Sequence, residues 1–148
     1  MLTTTLINIF DRDLGKLEEE IRTFKQEELL WKTLPGITNS AGNLTLHLAG
    51  NLRHFVGALL GNTGYIRDRD KEFSAKDIPA ADLLSAIAET KQVVKETIGK
   101  LSADDLDKTY PVKIFDTELT TGYFLVHLLS HLSYHLGQIN YLRRILQP

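Results

Sequence analysis

The sequence contains no cysteine. That absence excludes disulfides, thiolate metal ligands and a cysteine nucleophile together, and it fits a reducing compartment. Charge of neither sign is in excess: 17 Lys and Arg stand against 19 Asp and Glu, a formal net charge of −2. A nucleic-acid surface needs clustered Lys and Arg, so no nucleic-acid partner is expected. No apolar run approaches the roughly 20 residues of a membrane span, so no membrane partner is expected either. The opening MLTTTLINIFDRDLGK lacks a basic stretch followed by an uninterrupted apolar core, so no signal peptide is expected and the expected location is cytoplasmic. Glycine-rich phosphate loops, nucleophile elbows, internal repeats and low-complexity tracts are all missing. What remains is an ordinary globular composition, 43% hydrophobic and 24% charged over 148 residues, which fits one domain at 1–148 with a sizeable core.

The hydrophobic pattern is helical almost throughout. Leu6, Ile9, Phe10, Leu14, Leu17, Ile21 and Phe24 recur at a 3–4 spacing and predict a first helix from about Thr4 to Lys32, capped among Thr3–Thr5 and stopped by Leu34–Gly36. Trp31 near its end reads as a core residue. A second helix is expected from about Ala41 to Leu60, behind the cap candidates Asn39 and Ser40, with Leu44, Leu48, Leu52, Phe55, Val56 and Leu59 inward. Gly50 and Gly57 weaken that helix by about 1 kcal/mol each, and either close helix packing or approach to a ligand would explain them. Residues 61–79 alternate in charge and read as a solvated connection. It is long enough to run back along the bundle, because about 18 extended residues reach roughly 60 Å and a 20-residue helix measures about 30 Å. Helices 2 and 3 are therefore expected to be parallel, the third from about Ala80 to Leu101. A second long connection, 102–120, includes the short extended candidate YPVKIF, and the fourth helix spans Thr121 to Gln147. The fold class is all-α, a four-helix bundle.

Chemistry concentrates in the fourth helix, in the run HLLSHLSYHLGQINYLRR. His127, His131 and His135 recur at intervals of four, and each such step drifts only about 40° around a helix axis, so the rings share a stripe. Neutral imidazole is the commonest side-chain metal ligand. Spacing alone leaves two readings open: a metal site, or polar residues at a helix boundary that are hydrogen-bonded and inert. On the second helix, His47, Asn51 and His54 lie along one edge of the apolar face.

The segments LSHLSYHLGQINYLRRIL and TLHLAGNLRHF resemble the two ligand-bearing segments of the DinB/YfiT-like superfamily, in which a His, three residues, a second His and a following Gly-Gln close a four-helix bundle. The resemblance implies an up-down-down-up bundle, with His47, His131 and His135 as ligands of a divalent ion and their ring nitrogens able to reach it at about 2.0–2.2 Å. His-only sites take Zn²⁺, Ni²⁺ and other first-row ions, and Zn or Ni is the implied cofactor. Asn51 and Gln138 are candidates to orient a ligand ring or a bound water. His127 is a candidate supporting residue or a satisfied core histidine, and His54 a local packing residue. Many members carry Arg or Lys just before the closing Gly, where this chain has Leu136, so an anion contact there is not implied.

The resemblance further implies metal-dependent, thiol-using chemistry: transfer of a low-molecular-weight thiol to an electrophile, in a homodimer. Because the chain lacks cysteine, the sulfur would arrive with a cosubstrate. Two alternatives stand beside this reading. One is a hydrolase using metal-activated water, disfavoured because no Glu or Asp sits beside the histidine motif as a base. The other is a non-catalytic, stress-associated bundle that binds metal or partners.

Overall fold

The periodic segments of the sequence become six helices in a computed structural model that describes Met1–Pro148, with no strand. In α1 (Leu2–Thr23), Leu6, Phe10, Leu14, Leu17 and Ile21 are buried along one stripe. The helix ends earlier than its pattern implied, at Thr23 instead of Lys32. The next stripe positions after Phe24 are Glu27 and Glu28, and a continued helix would drive these carboxylates toward the core. Phe24 instead turns extended and stays buried, and Glu27–Trp31 forms a separate 3₁₀ turn that leaves both acids exposed and buries Leu30. The start differs too: Met1 occupies the cap position and no threonine hydroxyl caps the helix.

α2 (Ala41–Leu52) is capped by Ser40, whose hydroxyl accepts from the Asn43 N–H. All of its residues but Leu46 are buried, because neighbours pack on several of its faces. The helical course continues through a π-helical stretch, Arg53–Ala58, and a last turn, Leu59–Gly61, before Asn62 takes left-handed backbone (φ 50°) and ends it.

The connection after α2 is largely exposed, as its alternating charges suggested, but it is not a plain strap and it buries Glu72. It holds a short helix, α3 (Arg69–Ser74), capped by the Asp68 side chain and fastened to α2 by Asn43, whose amide donates to the carbonyls of Glu72 (3.0 Å) and Ala75 (2.8 Å). α4 (Ala80–Gly99) buries Leu83, Ile87, Val94 and Ile98. A small helix, α5 (Ala103–Asp107), closed by a Ser102–Asp105 capping box, opens the second connection. The extended piece that follows amounts to two isolated bridges, Thr109 with Thr120 and Ile114 with Thr117. Tyr110 ties it down by donating to the Phe55 carbonyl at 2.6 Å. α6 (Thr121–Leu146), capped by Thr120, carries Phe124, Leu128, Leu132, Ile139 and Leu142 into the core.

Contacts along the helices give their directions. Arg53 pairs with Glu89 at 3.1 Å, Gly57 abuts Val93 and Gly61 abuts Thr97, so α2 and α4 run parallel. Asp13 meets Ser133 and Glu20 meets Asn140, so α1 and α6 are parallel as well. His47 meets His131 while Phe55 meets Phe124, which makes α2 and α6 antiparallel. The order is up-down-down-up, as expected. No helix is long and apolar enough to cross a membrane.

Candidate metal centre

The antiparallel pairing of α2 and α6 brings together residues 84 apart in sequence. His47 Nε2 lies 3.1 Å from His131 Nε2. His135, one turn along α6, places its ring 5.4 Å from that of His47 and 4.6 Å from that of His131, both edge-on. One ligand atom from each of the three lies within 4.8 Å of the others, so the trio can hold a metal ion. His47 is buried and the other two are half-buried.

The orientation of each ring follows from what its second nitrogen meets. Glu72 Oε1 lies 3.0 Å from His47 Nδ1. Burial pushes the Glu72 carboxyl up, but hydrogen bonds from Arg67 (2.8 Å to each oxygen) and from His47 outweigh it and hold the group below its ordinary range. A carboxylate only accepts, so the proton sits on His47 Nδ1 and the lone pair on Nε2 faces His131. Gln138 Oε1 fixes His135 in the same way, accepting from Nδ1 at 2.6 Å and freeing Nε2. His131 has no such partner: its Nδ1 is buried and unbonded. Burial, reinforced by His135 and His47, pushes its pKa down to about 4, so the ring is neutral at pH 7. Burial lowers His135 as well, against the opposing effect of the Gln138 bond. Two imidazole lone pairs 3.1 Å apart repel, so a proton or a cation must lie between His47 and His131.

The remaining candidates fall outside the cluster. Asn51 is buried on α2 four residues after His47, but its Oδ1 bonds to nothing. His127 is exposed and stacks on Phe124 at 5.8 Å, which excludes the core-histidine reading and leaves it without a hydrogen bond to the trio. His54 packs against Phe55 on the π-helical stretch, as a local packing residue should. Leu136 packs against the hydrophobic core and offers no cation.

Glu72 and Arg67 are the residues that sequence reasoning missed, and with them falls the statement that no acid stands near the motif. Glu72 reaches His47 only through the tertiary path of α3. The signal for it was Gly50. A Cβ at that position would lie 2.0 Å from Glu72 Oε2, so the glycine in the helix interior makes room for the carboxylate. Gly57 answers to the other explanation, close helix packing, against Val93.

Fold and site together define an all-helical bundle with a histidine trio spanning two facing inner helices. The chain belongs to the family described as "Protein of unknown function (DUF1572)", whose model matches residues 5–148 and which is DinB-like. Among solved structures it is similar to a DinB-like protein from Bacillus cereus ATCC 10987, with 16% identity, a TM-score of 0.68, and coverage of 89% of this chain and 84% of the other. No curated protein matches the sequence.

Proposed function

We propose that the protein is a divalent-metal-dependent enzyme that transfers a low-molecular-weight thiol to an electrophilic substrate, with His47, His131 and His135 holding the ion. The observation that carries this reading is the convergence of His47 and His131 through Nε2 at 3.1 Å, with His135 alongside. Two nitrogens each about 2.0–2.1 Å from one ion, at about 90–110°, stand about 2.8–3.4 Å apart, so the residues present fit the group. Three nitrogen donors suit Zn²⁺ or Ni²⁺ and leave coordination open, as catalytic sites do. Bound there, the ion supplies the Lewis acidity that favours thiolate over thiol.

The chain's own residues do the positioning. Glu72 holds the His47 tautomer, Gln138 holds His135, and the Phe73 ring covers His47 at a centroid distance of 4.8 Å. No residue of the chain can be the sulfur nucleophile, since cysteine is absent. Glu72 is a poor general base for a water-using alternative: both its oxygens are bonded to Arg67 and its pKa is depressed. The expected homodimer belongs to the same proposal and is read by light scattering.

Paired assays test the chemistry. Metal-loaded protein should accelerate conjugation of a small bacterial thiol to a model electrophile, apo protein should not, and nothing should turn over without thiol. Turnover without thiol, releasing a hydrolysis product, would establish the hydrolase instead. Silence across panels of thiols, electrophiles and esters, with several metals, would leave a non-catalytic metal-binding bundle.

A further inference from the structure

A cavity of about 810 Å³ opens beside His135, within the roughly 300–1,000 Å³ common for small-molecule sites. It begins at Leu44, three residues before His47, passes His135 and Gln138, and extends along α6 to Tyr141 and Ile145. None of its 13 lining residues is Asp, Glu, Lys or Arg, in a chain where 24% of residues are charged. No charged side chain in its wall meets an anion or cation that enters; the Arg144 guanidinium stands 5.5 Å from the Tyr141 ring, outside the lining, and the proposed ion would lie beside His135. Tyr134 and Tyr141 are 66% and 67% exposed and present ring surface to a guest. Beside Thr38 and Asn39, Gln138 adds a polar contact next to His135. Its Oε1 is committed to His135, which fixes the amide plane, and its nitrogen donates to no protein group and is free for an acceptor on the guest.

We infer that this cavity binds the electrophile of the proposed reaction and selects a neutral, ring-bearing molecule with a hydrogen-bond acceptor, an assignment that rests on the thiol-transfer reading. The acceptor pairs with the Gln138 amide, the ring lies along the tyrosines, and the guest is held next to His135. Selectivity follows from what the wall lacks: a charged analogue of the same shape is rejected.

Two probes of one shape test this at pH 7: neutral 2-naphthol and anionic 2-naphthoate, titrated with NMR detection into the ion-free protein, because a carboxylate would also ligate a bound Zn²⁺. Naphthol should bind at least tenfold more tightly than naphthoate. Ile145 is 59% exposed, so Ile145→Lys should fold, and it should shift the preference toward naphthoate by more than tenfold. Equal binding of the two probes, binding of neither, or an unaltered preference in Ile145→Lys would overturn the inference. A calorimetric Zn²⁺ titration of each protein separates this result from the metal reading. Zn²⁺ uptake without naphthol binding overturns the cavity assignment alone. Naphthol binding to a protein that takes up no divalent ion overturns the metal reading, and with it the assignment of the guest as electrophile.

Discussion

At the scale of single residues, Glu72 governs what His47 can do. Its carboxylate sets the tautomer, Arg67 holds the carboxylate, and Gly50 leaves room for it. Partners that orient a ligating histidine in this way typically contribute about 10–100-fold to metal affinity. Glu72→Gln should therefore weaken Zn²⁺ binding by at least about tenfold in a calorimetric titration, while His127→Ala, which removes an exposed ring, should leave it unchanged. The steric side of the argument has its own check. Gly50→Ala should destabilise the fold by about 1–3 kcal/mol through overpacking against the carboxylate, and far less in a Glu72→Ala background, where the obstacle is gone. Additive effects in urea denaturation would show that Gly50 matters for another reason. The histidines were legible in the sequence because i, i+4 spacing and two short family-like segments are local signals. Glu72 was not, since it lies 25 residues from His47 in a stretch whose alternating charges usually mark solvent-facing chain.

At the scale of helices, the α1–α6 seam holds its polar groups in register. Asp13, only 2% exposed, accepts from Ser133 at 2.6 Å and from Arg12 at 2.8 Å, and further along Glu20 meets Asn140 and Arg143. Burial pushes the Asp13 carboxyl up, but the bonds from Arg12 and Ser133 outweigh it and leave the group below its usual 3.8. A depressed carboxyl releases its proton more readily folded than unfolded. Its stabilisation is therefore present above about pH 3.8 and is lost as pH falls through the folded value. Asp13→Asn should cost about 1–3 kcal/mol at pH 7, and the gap to the parent protein should narrow as pH falls below 3.8. A gap that stays unchanged as far below pH 3.8 as the fold survives would remove the carboxylate's charge from the explanation. Helix ends show why part of the fold stayed hidden in the sequence. The 3–4 spacing located every long helix. It did not reveal that Glu27 and Glu28 would end α1 early, nor the π-helical stretch at Arg53–Ala58, whose period resembles an α-helix over so few residues.

At the scale of the whole molecule, the parallel α2 and α4 were foreseeable from loop length alone, because the 61–79 connection is long enough to run the length of a helix. The consequence is that α2 and α6 face each other antiparallel, and the histidine trio spans the two across 84 residues. An ion held there ties together helices that global unfolding must separate, so binding should appear as stability of the entire fold. A ligand that binds only the folded state at 100 times its dissociation constant adds about 2.7 kcal/mol. For a domain of this size that is roughly 2–4 °C per kcal/mol, or about 5–11 °C in Tm. Calorimetric scans with and without Zn²⁺ should give a single transition that moves up by this amount. His131→Ala should unfold with no metal-dependent shift, because loss of one of three donors leaves the remaining pair too weak to bind at the same concentration. His54→Ala should keep the full shift, since its ring packs on Phe55 outside the trio. A shift retained in His131→Ala would place the stabilising ion elsewhere on the bundle. Loss of the shift in both variants would point to damage to the packing of α2 against α6 instead of to coordination.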